Sequence, residues 1–575
     1  MIRGVGRLAA ALLAALVVTS CATVPDGSPV KVLGRTGEAE QAPADGPVDG
    51  SNPLDLVRDF VFASGSSSDR HGSARRFLAE EAAGWNDGAG LTVLDGQFDT
   101  VPTPGAPNSP DVATIRIRGT AIGRVTSSGA FESNQATFQQ DVTVVRRDGQ
   151  WRIAGLPDGV VVPLSIFRDH YRAVRTWFVD PVRRLVVADL RYVPSVPARA
   201  QAARVADLLL GGPSTALIGA AVSQLPPEAE LRSNVAVSPD GALVVDLTGV
   251  GDLDPGARRL LAAQVVLSLA EVNVSRVRLL VDGEPLIADR PDLTRTDVAD
   301  LVAEGQPNQD VQGLVVSGGR LRQLTGPEPS TPLPGPSGDG SQDVESAALS
   351  GDSRRLAVVT RQGNRRAMLI GGVADPGLTP TSLDAATMTR PTWAPSGTEV
   401  WTVLDGRTVT RVLTDAATAP GRAGIEASEL AALGPINDLR LSRDGMRVVA
   451  VVGTGLYTAA VARTVDGEVA LRNVHRLRPL DLGEVITADW GSADQVVSVS
   501  RGPDLLVAQT TVDGLGLQPV LGNNLTPPLS AVAATANRPL LVTDQNGVWS
   551  FAFGDQAAWR QMLGSAPDAV PLYPG

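Results

Sequence analysis

The chain has 575 residues, enough for three or four domains of about 150 residues each, and its 43% hydrophobic and 19% charged content is that of ordinary globular domains. A formal net charge of −12 argues against nucleic acid as a partner and against broad contact with anionic lipid heads. A single cysteine, Cys21, and a single lysine, Lys31, exclude an intramolecular disulfide and a phosphate-binding loop with its lysine.

Ahead of Cys21 the chain reads MIRGVGRLAAALLAALVVTS. Arg3 and Arg7 give a basic start, Leu8 to Val18 is an unbroken run of apolar and small residues, and small polar residues follow. That layout predicts a secretory signal peptide over residues 1–20. The apolar run is about half of the roughly 20 residues that a membrane-spanning helix needs. Val18-Thr19-Ser20-Cys21 resembles the lipobox of bacterial lipoproteins. The resemblance implies an S-diacylglycerol on the Cys21 thiol, cleavage just before it, and N-acylation (palmitate or a similar chain) of the new amino group. Two or three acyl chains, at about 0.8 kcal/mol per buried methylene, anchor a protein stably where one is marginal. The expected location is the extracytoplasmic side of the cell membrane. An ordinary secreted protein with a chance cysteine is the alternative. Arginine carries nearly all the positive charge amid abundant Ala, Gly, Val, Asp and Pro, a composition of GC-rich genomes such as those of actinobacteria.

Residues 21–50 lack periodicity and are rich in Pro, Gly, Ala and Asp, which predicts a flexible tether. Folded structure is expected from Ser51: Ser51-Asn52 can cap a helix with Pro53 at its first position, and Leu54, Val57, Phe60 and Val61 share a face. A second helix is predicted over 69–83. Alternating strands follow at 112–126, 131–147 and 150–156, joined by the hairpin signals SSG and RDG. Helices before a long antiparallel meander, with a late Trp-Arg-Ile strand at Trp151, resemble the cystatin-like cone of the nuclear-transport-factor superfamily. The first domain, α+β, is placed at 51–164, with its pocket expected to be filled.

The second domain is placed at 165–295. It offers a strand in RRLVVADLRYV, an amphipathic helix over 198–213 closed by Gly211-Gly212-Pro213, strands NVAVS and ALVVDLT, a helix over 255–272, and VSRVRLLVDGEPL. This order resembles the α/β GerMN domain of germination and sporulation proteins. Leu209-Leu210-Gly211-Gly212-Pro213, Leu225-Pro226-Pro227, Val244-Val245-Asp246-Leu247 and Val281-Asp282-Gly283 carry the match.

The third domain, 296–575, contains a repeat: ALSGDSRRLAVV, TWAPSGTEVWTV, RLSRDGMRVVAV, DWGSADQVVSVS and AATANRPLLVTD. Copies lie about 43 to 49 residues apart, close to the period of a four-stranded blade. An all-β propeller of five or six blades is expected, with GLVVSGGRLRQL (313–324) able to supply outer strands to an incomplete blade. AVSPDGALVVDL (236–247) looks like another copy, but it is out of phase and shares only a hairpin turn. Asp and Ser in the repeat turns are expected to shape turns, and Trp393, Trp401, Trp490 and Trp549 to pack between blades.

Catalytic and metal-binding motifs are not expected. His71, His170 and His475 stand far apart without local ligand partners, and neither H-E-x-x-H nor G-x-S-x-G occurs. Distant carboxylates could still converge at the propeller axis. Taken together, lipobox, tether, cone, GerMN-like domain and propeller resemble the actinobacterial LpqB lipoprotein family over essentially the whole chain. That resemblance implies a non-enzymatic accessory to the MtrAB two-component system. Its partner would be the extracellular domain of a sensor histidine kinase of the MtrB kind, in cell-wall homeostasis and division, with no cofactor. Of the family's functional residues only the lipidated cysteine carries over, to Cys21. Two alternatives remain: an envelope protein that binds cell-wall fragments, and a propeller hydrolase.

Overall fold

Asn52 opens the first element by accepting hydrogen bonds from the backbone amides of Leu54 and Asp55, at 2.9 and 3.0 Å, and Pro53 occupies a first-turn position that needs no donor. The computed structural model describes residues 46–575 apart from 107–108, 304–312, 327–329, 374, 415–419, 503–504 and 555–556. The leader, Cys21 and most of the predicted tether therefore lie outside the described residues. Helix α1 (Pro53–Ala63) buries Leu56, Val57, Phe60 and Val61 against a sheet in the order β5-β4-β3-β1-β6, with β2 also on β3. These strands are β1 Leu91–Leu94, β2 Asp99–Pro102, β3 Val112–Val125, β4 Phe131–Arg147, β5 Gln150–Gly155 and β6 Val160–Pro163. The β3–β4 hairpin runs from Val112↔Val145 to Val125↔Phe131, with a bulge between Ala121 and Gly123. Gly123 is required there: a Cβ would lie 2.3 Å from the Glu132 carbonyl oxygen. Aromatic rings fill the cone, with Phe60 5.6 Å from Trp85 and 6.3 Å from Phe77.

The helix expected over 69–83 is reduced to one turn, Gly72–Arg75, and a 3-10 turn at Glu80–Ala82. Asp69, Arg70 and His71 all adopt positive φ, which no right-handed helix accommodates. Beyond the turn the chain is captured by the sheet, where Leu78 bridges Ile153.

Helix α2 (Leu164–His170) leads into a ten-residue hairpin, β7 (Tyr171–Asp180) and β8 (Leu185–Pro194). All eight central residues of β8 are buried, as for a strand covered on both faces. Helix α3 (Ala198–Leu210) ends at Gly211. Strands β9 (Leu243–Thr248) and β10 (Val277–Val281) pair in parallel from Leu243↔Val277 to Leu247↔Val281. Parallel neighbours need a crossover, and α4 (Pro255–Ala270) supplies it. This helix buries residues all round, including Gln264 and Ser268, because β7 covers its other side: Ser268 Oγ accepts from the Trp177 amide at 2.9 Å.

Among the described residues the last region forms six four-stranded sheets. Blades 2 to 6 are consecutive: Val344–Ala385, Thr392–Gly424, Ile436–Arg476, Val485–Val520 and Ala531–Gly564. Blade 1 takes Leu314–Ser317, Arg320–Gln323 and Thr331–Pro332 from one end of the region and its innermost strand, Val570–Leu572, from the other. Six blades are thus present, and the 313–324 hairpin supplies outer strands as expected.

Candidate functional site

Two buried polar regions are candidates. The first is the propeller axis. Arg390, ahead of blade 3, donates to the carbonyl oxygens of Val532 in blade 6 and Pro571 in blade 1, at 2.9 and 3.4 Å. It therefore spans the ring. Asp489 of blade 5 lies 3.8 Å from Arg390 and 3.4 Å from Arg440, and its Oδ2 also accepts from the Ala534 amide. Burial would raise the Asp489 carboxyl, but Arg440 and Arg390 outweigh it and hold it below the usual range. Asp438 accepts from the Thr487 hydroxyl at 2.7 Å and from the Leu439 and Ala488 amides. The axial carboxylates are thus each committed to a partner.

The second region is the junction of the three domains. Arg191 on β8 is fully buried and donates to Asp189, to the Ser128 carbonyl in the cone's SSG turn at 2.5 Å, and to the Gly212 carbonyl at 2.9 Å. Asp189 also accepts from the Ser214 amide and hydroxyl, at 2.7 and 2.8 Å. One arginine thereby fixes two turns that the sequence marked only by their glycines. The propeller adds Arg447, which donates to the Ala188 carbonyl at 2.9 Å, and Asp494, which pairs with Arg175 at 2.8 Å. The cone's Gln135 exchanges 2.9 Å hydrogen bonds with Asp481 and the Leu480 amide. Apolar packing is continuous as well: Ile122, Phe131, Leu190 and Tyr192 share one cluster with Val449, Leu456 and Leu477 of the propeller.

A cavity of about 270 Å³ remains where these parts meet, with walls that include Phe131, Ser133, Leu190, Thr458, His475 and Asp513. Asp513 shapes the turn after Val507–Thr511: its Oδ1 accepts from the Thr511 hydroxyl at 2.5 Å and the Leu515 amide at 3.0 Å. Burial pushes its carboxyl up despite those bonds. The Tyr192 hydroxyl, itself pushed far up by burial, is near enough to interact with this carboxyl, yet Oδ2 keeps no hydrogen bond of ordinary geometry. His475 Nε2 lies 2.7 Å from the Thr458 hydroxyl. Burial holds the His475 ring below its ordinary value, against the carbonyls of Asn473 and Val512 and the Asp513 charge.

The three histidines do not converge. His71 is buried in the cone with Nδ1 2.9 Å from the Ser64 carbonyl, His170 ends α2, and only His475 reaches the cavity. Among the described residues, no group of three or more His, Cys, Asp or Glu side chains is placed to hold a metal ion, and no helix is long and apolar enough to cross a membrane. The repeat turns are built by their Ser and Asp: Ser350 donates to Asp352 and Ser442 to Asp444, both at 2.5 Å, and Ser492 to Asp494 at 2.7 Å. Ser238 makes the same bond to Asp240 in the out-of-phase copy. Trp393 and Trp490 donate across blades to the carbonyls of Ala348 and Arg440, each at 3.0 Å. Ser133 and Asp513 escaped sequence reasoning, since nothing in the local pattern joins positions so far apart.

Comparison with known proteins agrees with this architecture. Family models match residues 46–168 (Lipoprotein LpqB, N-terminal domain), 175–287 (Sporulation and spore germination) and 302–574 (Lipoprotein LpqB beta-propeller domain). Together they define a propeller-bearing envelope lipoprotein. Lipoprotein LpqB of Rhodococcus jostii is 32% identical over 594 residues, covering 98% of this chain and 97% of that protein. The Nocardia farcinica protein of that name is 31% identical over 610 residues, covering 99% and 98%. The chain belongs to the LpqB lipoprotein family. Among solved structures, a chain of a nidogen/laminin complex aligns with 45% of this chain and 97% of its own length at 11% identity, with a TM-score of 0.33, a likeness too weak to bear on function.

Proposed function

We propose that the protein is held to the outside of the cell membrane by lipid on Cys21 and acts by binding, not catalysis, on the sensor domain of a histidine kinase of the MtrB kind. The observation that supports this best is family membership along nearly the whole chain, and the locked junction gives it a physical means. A body whose three domains share buried arginine–carbonyl hydrogen bonds and apolar clusters presents one fixed surface. Docking on one kinase conformation in preference to another shifts signalling by no more than the difference in affinity.

The test has two arms. Cys21→Ser should move the full chain from the membrane fraction to the medium, and recovery unchanged in the membrane would refute the anchor. Immobilised kinase ectodomain should retain the wild-type mature chain, and no retention would refute the partner while leaving the anchor standing.

A further inference from the structure

The cone leaves one strand edge open. Strand β4 is paired by β3 along one side, but on the other side β5 meets only Thr143 to Arg147. Which backbone groups face the gap follows from β3. The carbonyl oxygens of Thr114 and Thr120 point away from β4, accepting from the Thr103 and Asp95 amides at 2.9 and 2.7 Å. Their partners across the hairpin, Thr143 and Thr137, therefore turn their own N–H and C=O away from β3, as in every second pair of an antiparallel ladder. The register is unbroken between them, so Gln139 and Asp141 do the same. Gly155 of β5 pairs with Thr143. Among the described residues no backbone bond is made to Thr137, Gln139 or Asp141 on that side. All three are exposed, and at strand spacing they span about 14 Å.

Other edges are defended. The outermost strands of blades 1 to 6 each carry a proline or an arginine: Pro332, Pro380, Arg422, Arg472, Pro519 and Arg560. Residues 133–140, Ser-Asn-Gln-Ala-Thr-Phe-Gln-Gln, carry no proline and no charge. A second copy does not fit the gap. Pairing two such edges about Gln139 would set the copy's Thr143, with β5 already on it, opposite Gln135, which Leu480 and Asp481 hold at 2.9 Å. A single short strand continuing the line of β5 does fit.

We propose that residues 137–141 form a β-augmentation site, which takes an extended, uncharged segment of about five residues from the docked protein through the backbone groups of Thr137, Gln139 and Asp141. The charged side chains beside the gap are already paired, Arg116 with Asp141 at 2.7 Å and Arg118 with Asp99 at 3.1 Å. The edge thus selects an extended backbone and not a charge. This site rests on the kinase docking proposed above and gives that docking its surface.

The test is hydrogen exchange resolved by residue on the full mature chain, alone and with the kinase ectodomain, beside retention on the immobilised ectodomain. In the chain alone the amides of Thr137, Gln139 and Asp141 should exchange about tenfold faster, or more, than those of Phe138 and Gln140, which face β3. The ectodomain should slow the outward three about tenfold. Gln139→Pro removes one outward donor and leaves the β3 ladder intact, at a position where an edge strand accepts proline. It should weaken retention about tenfold, whereas Gln140→Ala, whose backbone bonds to β3, should leave it unchanged. Thermal unfolding checks that both variants fold, and the exchange result on the wild type stands without either. Wild-type retention with the three amides still fast, or equal retention of Gln139→Pro, overturns this site and leaves the kinase reading standing. No retention of the wild type overturns both. Outward amides already slow in the chain alone mean that the chain itself or a second copy covers the edge, and that also overturns the site.

Discussion

The propeller axis and the domain junction are both buried, both polar and both rich in charge, yet they are finished differently. At the axis Asp489 has two arginines and a backbone amide, and Arg390 reaches across to the adjacent blades 6 and 1 while its Nη2 keeps no hydrogen bond. At the junction the Asp189–Arg191 pair is equally complete, but beside it Asp513 and Ser133 keep unsatisfied oxygens. The contrast is one of charge: the unbonded nitrogen at the axis belongs to Arg390 and stays within 3.8 Å of Asp489, whereas the unbonded atoms at the junction are oxygens of Asp513 and Ser133.

The sharpest way to break this contrast is at the axis. Asp489→Ala leaves Arg390 and Arg440 buried beside one another without their shared anion, and should cost about 3–5 kcal/mol in denaturant unfolding. If the loss is under 1 kcal/mol by the same scale, the axis is not the paired core described. Arg191→Met should cost about 3 kcal/mol and, unlike the axial change, should speed amide exchange in the cone's Thr126–Ala130 turn, whose Ser128 carbonyl loses its donor. A smaller effect distinguishes the junction by pH. His475 has a folded value below its ordinary 6.5 because it is buried, so the unfolded chain takes up a proton that the folded chain refuses. Stability is therefore present above 6.5 and falls as pH drops below it, by at most about 1.4 kcal/mol per pH unit for one proton. His475→Gln should flatten that part of the profile. The smallest effect is the control: Arg118→Gln breaks an exposed pair with Asp99 and should change stability by no more than about 0.5 kcal/mol.

Much of the fold was legible because it is written locally. Asn52-Pro53, the SSG and RDG turns, the Gly211 stop and the Ser-x-Asp turns of the blades act within a few residues of themselves. What was hidden depends on distance along the chain. The helix expected over 69–83 gave way to three left-handed residues and to capture of Leu78 by a strand far downstream. Strand β7 was not anticipated, since its apolar residues meet α4 and β8 and show no period of their own. Blade 1 stood outside the five-copy repeat because its innermost strand, Val570–Leu572, comes from the far end of the region. The candidate site was less legible still: Ser133 and Asp513 become neighbours only when the cone meets the propeller.

That split blade also sets an order of assembly. Leu314 pairs with Leu572 and Val316 with Val570, and just beyond them the Gly575 amide binds the Leu349 carbonyl at 2.8 Å. The ring therefore cannot shut until residue 572 has been made and is free to move. A chain still emerging from a ribosome or a translocation channel must hold an open sheet edge at blade 1 and wait. Such a latch delays the final topology to the last step, at the price of a contact order that makes closure slow.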